Sequence, residues 1–251
     1  MLQIAAELRY SETAFVKRDS DSEYTVRYFT PKAEVELCGH ATIATFSLLY
    51  KLQLAKGEFI CHTKAGDLNI RVSEKVLMQM ATPRIVDTIT DSEEIYQAIG
   101  VTDYQPTLPV QIAYSGLPDI MIPLRDVAML QSLKPDMEAI TTITRKCDAV
   151  SFHVFAFAED GYTAHVRDFA PLYDIPEESA TGTANAALTH YLQQNGCIPS
   201  TGDFSFLQGE AMGRPSVVST RIQADGNIFV GGTAAVVAEG RFLYPTNPAL
   251  I

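Results

Sequence analysis

The spacing of apolar and polar positions changes several times along the chain, and each change marks an element. Residues 2–8 place apolar side chains at helical spacing and predict a short amphipathic helix. The segment 11–16 turns extended, 17–23 is a polar turn, and 24–29 alternates, so a hairpin is predicted that stops at Thr30-Pro31. From Cys38 to Leu52 nearly every position is apolar or small, with Ile43, Phe46, Leu49 and Tyr50 at helical spacing. That run suffices for a helix of about four turns, and a helix apolar on nearly every side is normally buried. Residues 58–63, 68–72 and 76–80 read as short strands, and 83–90 as a connection.

The second half continues with a helix over 91–100, capped by Asp91 with Glu94 three residues on. Residues 106–123 are strand-like and interrupted at Gly116 and Pro118. Helices are predicted over 126–133 and 135–146, the latter opened by Pro135. An apolar strand over 149–158 turns at Glu159-Asp160-Gly161 into 162–169. A helix over 181–195 closes at Gly196, and strands follow at 204–207, 216–223, 228–231 and 234–238, with a tight turn at Asp225-Gly226-Asn227.

This order contains a repeat. One hairpin ends in Arg27-Tyr28-Phe29-Thr30-Pro31 and another in Arg167-Asp168-Phe169-Ala170-Pro171. Each is followed by a short acidic loop, then by a helix start with glycine second: Cys38-Gly39-His40-Ala41 and Thr181-Gly182-Thr183-Ala184. Two copies of one unit, each wrapping strands around its own helix, would aim two helix N-termini into a shared cleft. Free N–H groups there would attract an anion, most simply a carboxylate. The matching positions of Arg27 and Arg167 give them a structural role.

At 251 residues and 47% apolar content, the chain makes one large domain or two of moderate size. The repeat divides it into residues 1–88 and 89–239, with 240–251 packing back on the first part. A net charge of −11 argues against nucleic acid and anionic membranes as partners. No apolar run is long enough to span a bilayer, and the first residues lack the features of a signal peptide, so a cytoplasmic location is expected. Cys38, Cys61, Cys147 and Cys197 are scattered and read as free thiols. Neither zinc-ligand spacing nor a nucleotide-binding glycine motif occurs, so no metal and no cofactor is expected.

The stretches S-E-T-A-F-V (11–16), R-Y-F-T-P (27–31), E-V-E-L-C-G-H-A-T-I-A (34–44), R-D-F-A-P (167–171), E-E-S-A-T-G-T-A (177–184) and Q-G-E-A-M-G-R-P-S (208–216) together resemble the phenazine-biosynthesis PhzF-like family, within the diaminopimelate-epimerase-like fold. The resemblance covers essentially the whole chain. It implies an α+β fold of two pseudo-repeated domains, each a curled, mostly antiparallel sheet around a central helix. It also implies a cofactor-independent isomerase that moves a proton on a small carboxylate in the interdomain cleft. By the same resemblance Glu12 is the acid/base, with His40 and Glu178 as its catalytic partners. Gly39, Gly182 and Thr183 then hold the substrate, and Arg214 is a candidate for a bidentate grip on its carboxylate.

Three departures stand out. Glu178 is one methylene longer than the family's Asp, and Ser179 replaces a rigid Pro. Family members also begin with a strand and a G-N-P loop that this chain does not carry, which predicts a free sheet edge beside Glu12 and with it a possible homodimer. Two other readings remain open. A binding homologue would have kept the cleft and lost the chemistry. A thiol-based racemase would use Cys38, but its second cysteine would fall where Thr181 stands.

Overall fold

The computed structural model describes residues 1–241. Helix α1 (Leu2–Leu8) leads into the hairpin β1 (Thr13–Arg18) and β2 (Glu23–Phe29). The acidic loop that follows holds a two-residue strand, β3 (Glu34–Val35), paired back onto β2. Then come α2 (Gly39–Lys51), β4 (Gly57–Thr63), β5 (Gly66–Val72) and β6 (Val76–Gln79).

Residues 84–89 are not a connection but a strand, β7 (Arg84–Ile89). Its β-branched residues suit a pleated surface, and it pairs with β8 (Val110–Tyr114) after the helix α3 (Glu93–Ala98). The expected capping box on α3 does not form. Ser92 occupies the N-cap, Asp91 Oδ1 accepts from the Glu93 N–H at 3.4 Å, and Glu94 turns to Lys146. Pro118 opens β9 (Pro118–Pro123) rather than breaking it. Helices α4 (Val127–Gln131) and α5 (Met137–Lys146) are both capped by aspartate; Asp136, not Pro135, starts the second, accepting from the N–H groups of Glu138 and Ala139.

The second copy follows: β10 (Ser151–Phe157), β11 (Ala164–Ala170), β12 (Ile175–Glu178), α6 (Gly182–Gln194), β13 (Gly202–Gln208), β14 (Ser216–Ile222) and β15 (Ile228–Gly232). Residues 234–238 form no strand; the sheet pairing ends at Gly232 and Val237 is almost fully exposed. The return of residues 240–251 onto the first half concerns, from 242 onward, positions outside the described residues.

The pairing makes the duplication explicit. The first half runs β1-β2-β4-β5-β6 across the sheet and the second runs β10-β11-β13-β14-β15. In each, the hairpin strand leading to the helix lies parallel to the strand after it (β2 with β4, β11 with β13), and the other neighbours within these two runs are antiparallel. Strand β12 pairs with β11 as β3 pairs with β2. The halves join through antiparallel β6 and β15, the arrangement a pseudo-twofold axis requires. At that seam a Cβ on Gly231 would stand 1.8 Å from the Val76 carbonyl oxygen, so only glycine permits the contact.

Each helix is the hub of a core. Phe46 of α2 packs edge-on to Tyr24 at 5.7 Å, beside Phe59, and the Tyr28 hydroxyl is 2.6 Å from the buried Thr42 hydroxyl. Leu188, Tyr191 and Leu192 of α6 pack with Phe155 and Phe206. The two helices differ in one respect. Helix α6 is wrapped on a further side by β7, β8 and β9, whereas β1 is the last strand on its edge among the described residues. Helix α2 is therefore not buried all round: Ala44 and Leu48 are exposed.

Candidate active site

Both hub helices begin at the seam. A Cβ on Gly39 would meet Met78 at 3.8 Å, and one on Gly182 would meet Val230 at 3.5 Å. Met78 and Val230 are direct partners across β6 and β15. The two helix starts thus stand over neighbouring residues of one cross-strand pair. Neither start is capped by a side chain, and neither carries an acid in its first turn. The first intrahelical bonds are Thr42 N–H to Cys38 carbonyl and Asn185 N–H to Thr181 carbonyl. Gly39, His40, Gly182 and Thr183 precede those donors, so the helices give their N–H groups no acceptor, and the dipole adds partial positive charge there.

Around the first start sit Glu12, Cys38 and His40. Glu12, in the turn between α1 and β1, places Oε2 2.8 Å from His40 Nε2. The imidazole is 63% exposed, so His40 is a surface group at the helix start and not a core histidine. Cys38, the N-cap residue, holds Sγ 3.5 Å from His40 Nε2. Burial pushes the Cys38 thiol up to about 12, aided by the charges of Glu12 and Glu178 and opposed by the Ala41 N–H. A helix N-terminus favours thiolate, but here burial outweighs it. The donor atoms of Glu12, Cys38 and His40 lie within 4.8 Å of one another, so these are the residues that could reach a common cation.

Around the second start sit Glu178, Thr181 and Thr183. Glu178 ends β12, which the turn of the chain after β11 folds back alongside the helix. Its Oε2 is 2.9 Å from Thr181 Oγ1. Burial raises its proton affinity first and the Asp168 charge second, while the Thr181 hydrogen bond and, across the seam, His40 when charged act the other way. Glu178 and the Glu12–Cys38–His40 group thus share one electrostatic environment. The Thr183 methyl lies 3.6 Å from the Cβ position of Gly116. Ser179 packs against Gly209, where a Cβ would come within 2.9 Å of it and 2.5 Å of the Arg214 carbonyl oxygen. Gly209 has φ 84°, so the close approach and the backbone both call for glycine. Arg214 follows that loop. It is exposed and its guanidinium makes no hydrogen bond among the described residues, so the structure does not join it to the other site residues.

The phenazine biosynthesis-like family model PhzC-PhzF matches residues 1–240. The chain belongs to that family. Among its relatives is an uncharacterized isomerase of Deinococcus radiodurans, 35% identical, covering 96% of this chain and 83% of that protein. Another is the trans-2,3-dihydro-3-hydroxyanthranilate isomerase of Pseudomonas aeruginosa, 30% identical over 96% of this chain and 87% of its own length. The Bacillus anthracis PhzF-family structure superimposes with a TM-score of 0.82 at 25% identity, covering 97% of this chain and 88% of that one. The PhzF-like fold, α+β and of the diaminopimelate-epimerase type, and the isomerase class are thereby both in place.

Relative to that family pattern, one group of polar residues escaped sequence reasoning. Behind the second helix start, Asp119, Ser151, His153 and Asp168 are all buried within otherwise apolar strands. Gln208 joins them. Its amide donates to the Glu178 carbonyl at 2.8 Å and to Thr181 Oγ1 at 3.0 Å, and accepts from Asn185 at 2.8 Å. The available signal was an ionisable residue interrupting each strand: Asp119 in P-D-I-M-I-P, His153 in S-F-H-V-F-A-F and Asp168 between Arg167 and Phe169.

Proposed function

We propose that the protein is a cofactor-independent isomerase that moves a proton between two carbons of a small carboxylate bound at the seam. In this reading the substrate carboxylate, and the negative charge that develops on removing the proton, are held by the N–H groups of Gly39, His40, Gly182 and Thr183. Glu12 takes the proton from one carbon and returns it at another, so the reaction leaves no net change in the protein. His40 Nε2, 2.8 Å from Glu12 Oε2, stands where it can relay the proton. Glu178 approaches from the other half, and Arg214 is the group that a larger substrate would recruit. A well-placed acid/base contributes roughly two to four orders of magnitude in rate.

The observation that carries this reading is the pair of uncapped helix starts over a single cross-strand pair, with a carboxylate–imidazole couple beside one of them. Together they supply an anion cradle and a proton-transfer group in the same place. The raised thiol of Cys38 speaks against the racemase alternative, which needs a thiolate base. By the relative's name, trans-2,3-dihydro-3-hydroxyanthranilate is the first compound to offer, followed by aliphatic and other aromatic carboxylates. Incubation in D2O is expected to place deuterium on the carbon that receives the proton. Tight binding of a carboxylate with neither conversion nor deuterium in it would replace this reading with that of a binding homologue.

A further inference from the structure

Two hydroxyls, the buried Ser151 and the half-buried Thr181, each bridge a pair of carboxyl groups. Ser151 Oγ lies 2.8 Å from Asp119 Oδ1 and 2.7 Å from Asp168 Oδ1. Thr181 Oγ1 lies 2.9 Å from Asp168 Oδ2 and 2.9 Å from Glu178 Oε2. A hydroxyl owns one proton and can donate it to only one of its two neighbours. The other neighbour must then donate in turn, or two lone pairs face each other, which is unfavourable wherever water is kept out. Two such junctions need two protons, on two different carboxyls of the three.

His153 decides which two. Its Nδ1 is 2.9 Å from Asp168 Oδ1, and the imidazole is fully buried. With Nδ1 donating, Asp168 accepts from His153 and Ser151 at one oxygen and from Thr181 at the other, the surroundings of an anion. The two protons then belong on the outer carboxyls, Asp119 and Glu178. Asp119 agrees: its Oδ2 is buried with no partner among the described residues, which a neutral acid tolerates far better than a carboxylate. Glu178 agrees too, since Thr181 is its one side-chain hydrogen-bond partner among the described residues.

We propose that the Asp119–Ser151–Asp168–Thr181 network holds Glu178 as a neutral carboxylic acid, so that the site carries a fixed proton donor on one side and the Glu12 base on the other. Asp168 is the positioning residue, acting on Glu178 through Thr181. The catalytic meaning rests on the proton-transfer reading; the protonation state does not. The ionisable groups facing Glu178 are Asp168, Asp119 and His153 from the second half, with His40 and Cys38 from the start of α2. Burial and the Asp168 charge favour the proton on Glu178, while a hydrogen bond donated by Thr181 opposes it, as do His40 and His153 when charged.

The test is a pH titration of the resting, full-length protein with 13C-labelled glutamate, the Glu178 carboxyl signal being assigned with Glu178→Gln. The expected midpoint lies above the ordinary glutamate value of 4.5. In Asp168→Asn it is expected to fall by about one unit or more, a tenfold loss of proton affinity. A Glu178 carboxyl found ionised at neutral pH in the wild-type protein overturns the proposal even if the variant does not fold. An unchanged midpoint in a folded Asp168→Asn protein overturns the role of the network. Neither readout uses a substrate, so its outcome is separate from that of the D2O experiment.

Discussion

At Cys38 two opposing effects meet: a helix start, which favours thiolate, and burial, which favours thiol. Burial prevails and carries the group up to about 12. Cys38→Ser is therefore expected to retain deuterium exchange within a few-fold of wild type, measured by NMR on the substrate. At Asp119 burial and the Asp168 charge raise the proton affinity above that of an ordinary aspartate. The stability this proton provides is fully present below the unfolded-state value near 3.8 and is lost as pH rises through the folded value. Stability is expected to decline with rising pH in that window, by at most about 1.4 kcal/mol per pH unit for one proton. Asp119→Asn flattens the decline, and urea titrations at several pH values measure it. A slope unchanged in the variant would mean that Asp119 is not the buried acid.

Among the elements, the two acidic loops repay comparison. In the first half Arg27 grips Glu34 of β3 by two bonds of 2.8 and 3.0 Å while its guanidinium leans over Phe29. In the second Arg167 grips Glu177 of β12 by bonds of 2.9 and 2.8 Å over Phe169. The same clamp folds each loop back toward its helix start, and in the second half it sets the strand that ends in Glu178. The surroundings differ. Arg27 is 47% exposed, whereas Arg167 is 9% exposed and also donates to the Leu130 carbonyl. Arg167→Ala removes a buried guanidinium and leaves the half-buried Glu177 without its partner, and is expected to cost up to about 3 kcal/mol in chemical denaturation. Arg27→Ala, which removes an exposed arginine, is expected to cost far less.

Much of this architecture was legible beforehand, because hairpins, hub helices and turns are written in local periodicity and in Gly and Pro. The R-x-F-x-P repeat pointed to the duplication, and Glu12, His40 and Glu178 were visible as motif residues. What stayed hidden depends on partners distant in sequence. Strand β7 exists because β8, over twenty residues on, accepts it. Asp168 looks like a stray charge until β9, β10 and α6 bring Asp119, Ser151 and Thr181 against it.

For the whole molecule the seam between β6 and β15 is decisive, since it sets one helix start beside the other. Gly231→Ala forces a methyl into the Val76 carbonyl and is expected to destabilise by about 1–3 kcal/mol or more. Gly240→Ala, whose Cβ would meet nothing within 4 Å among the described residues, serves as the neutral control. A Gly231→Ala protein that remained folded but with β15 displaced would lose proton transfer out of proportion to its stability. The account as a whole turns on Glu12. Deuterium uptake from D2O into a carboxylate that the wild-type protein isomerises, followed by NMR for wild type and Glu12→Gln side by side, tests it most directly. The account predicts a folded Glu12→Gln protein with exchange reduced by at least a hundredfold; exchange at the wild-type rate in that variant would contradict it.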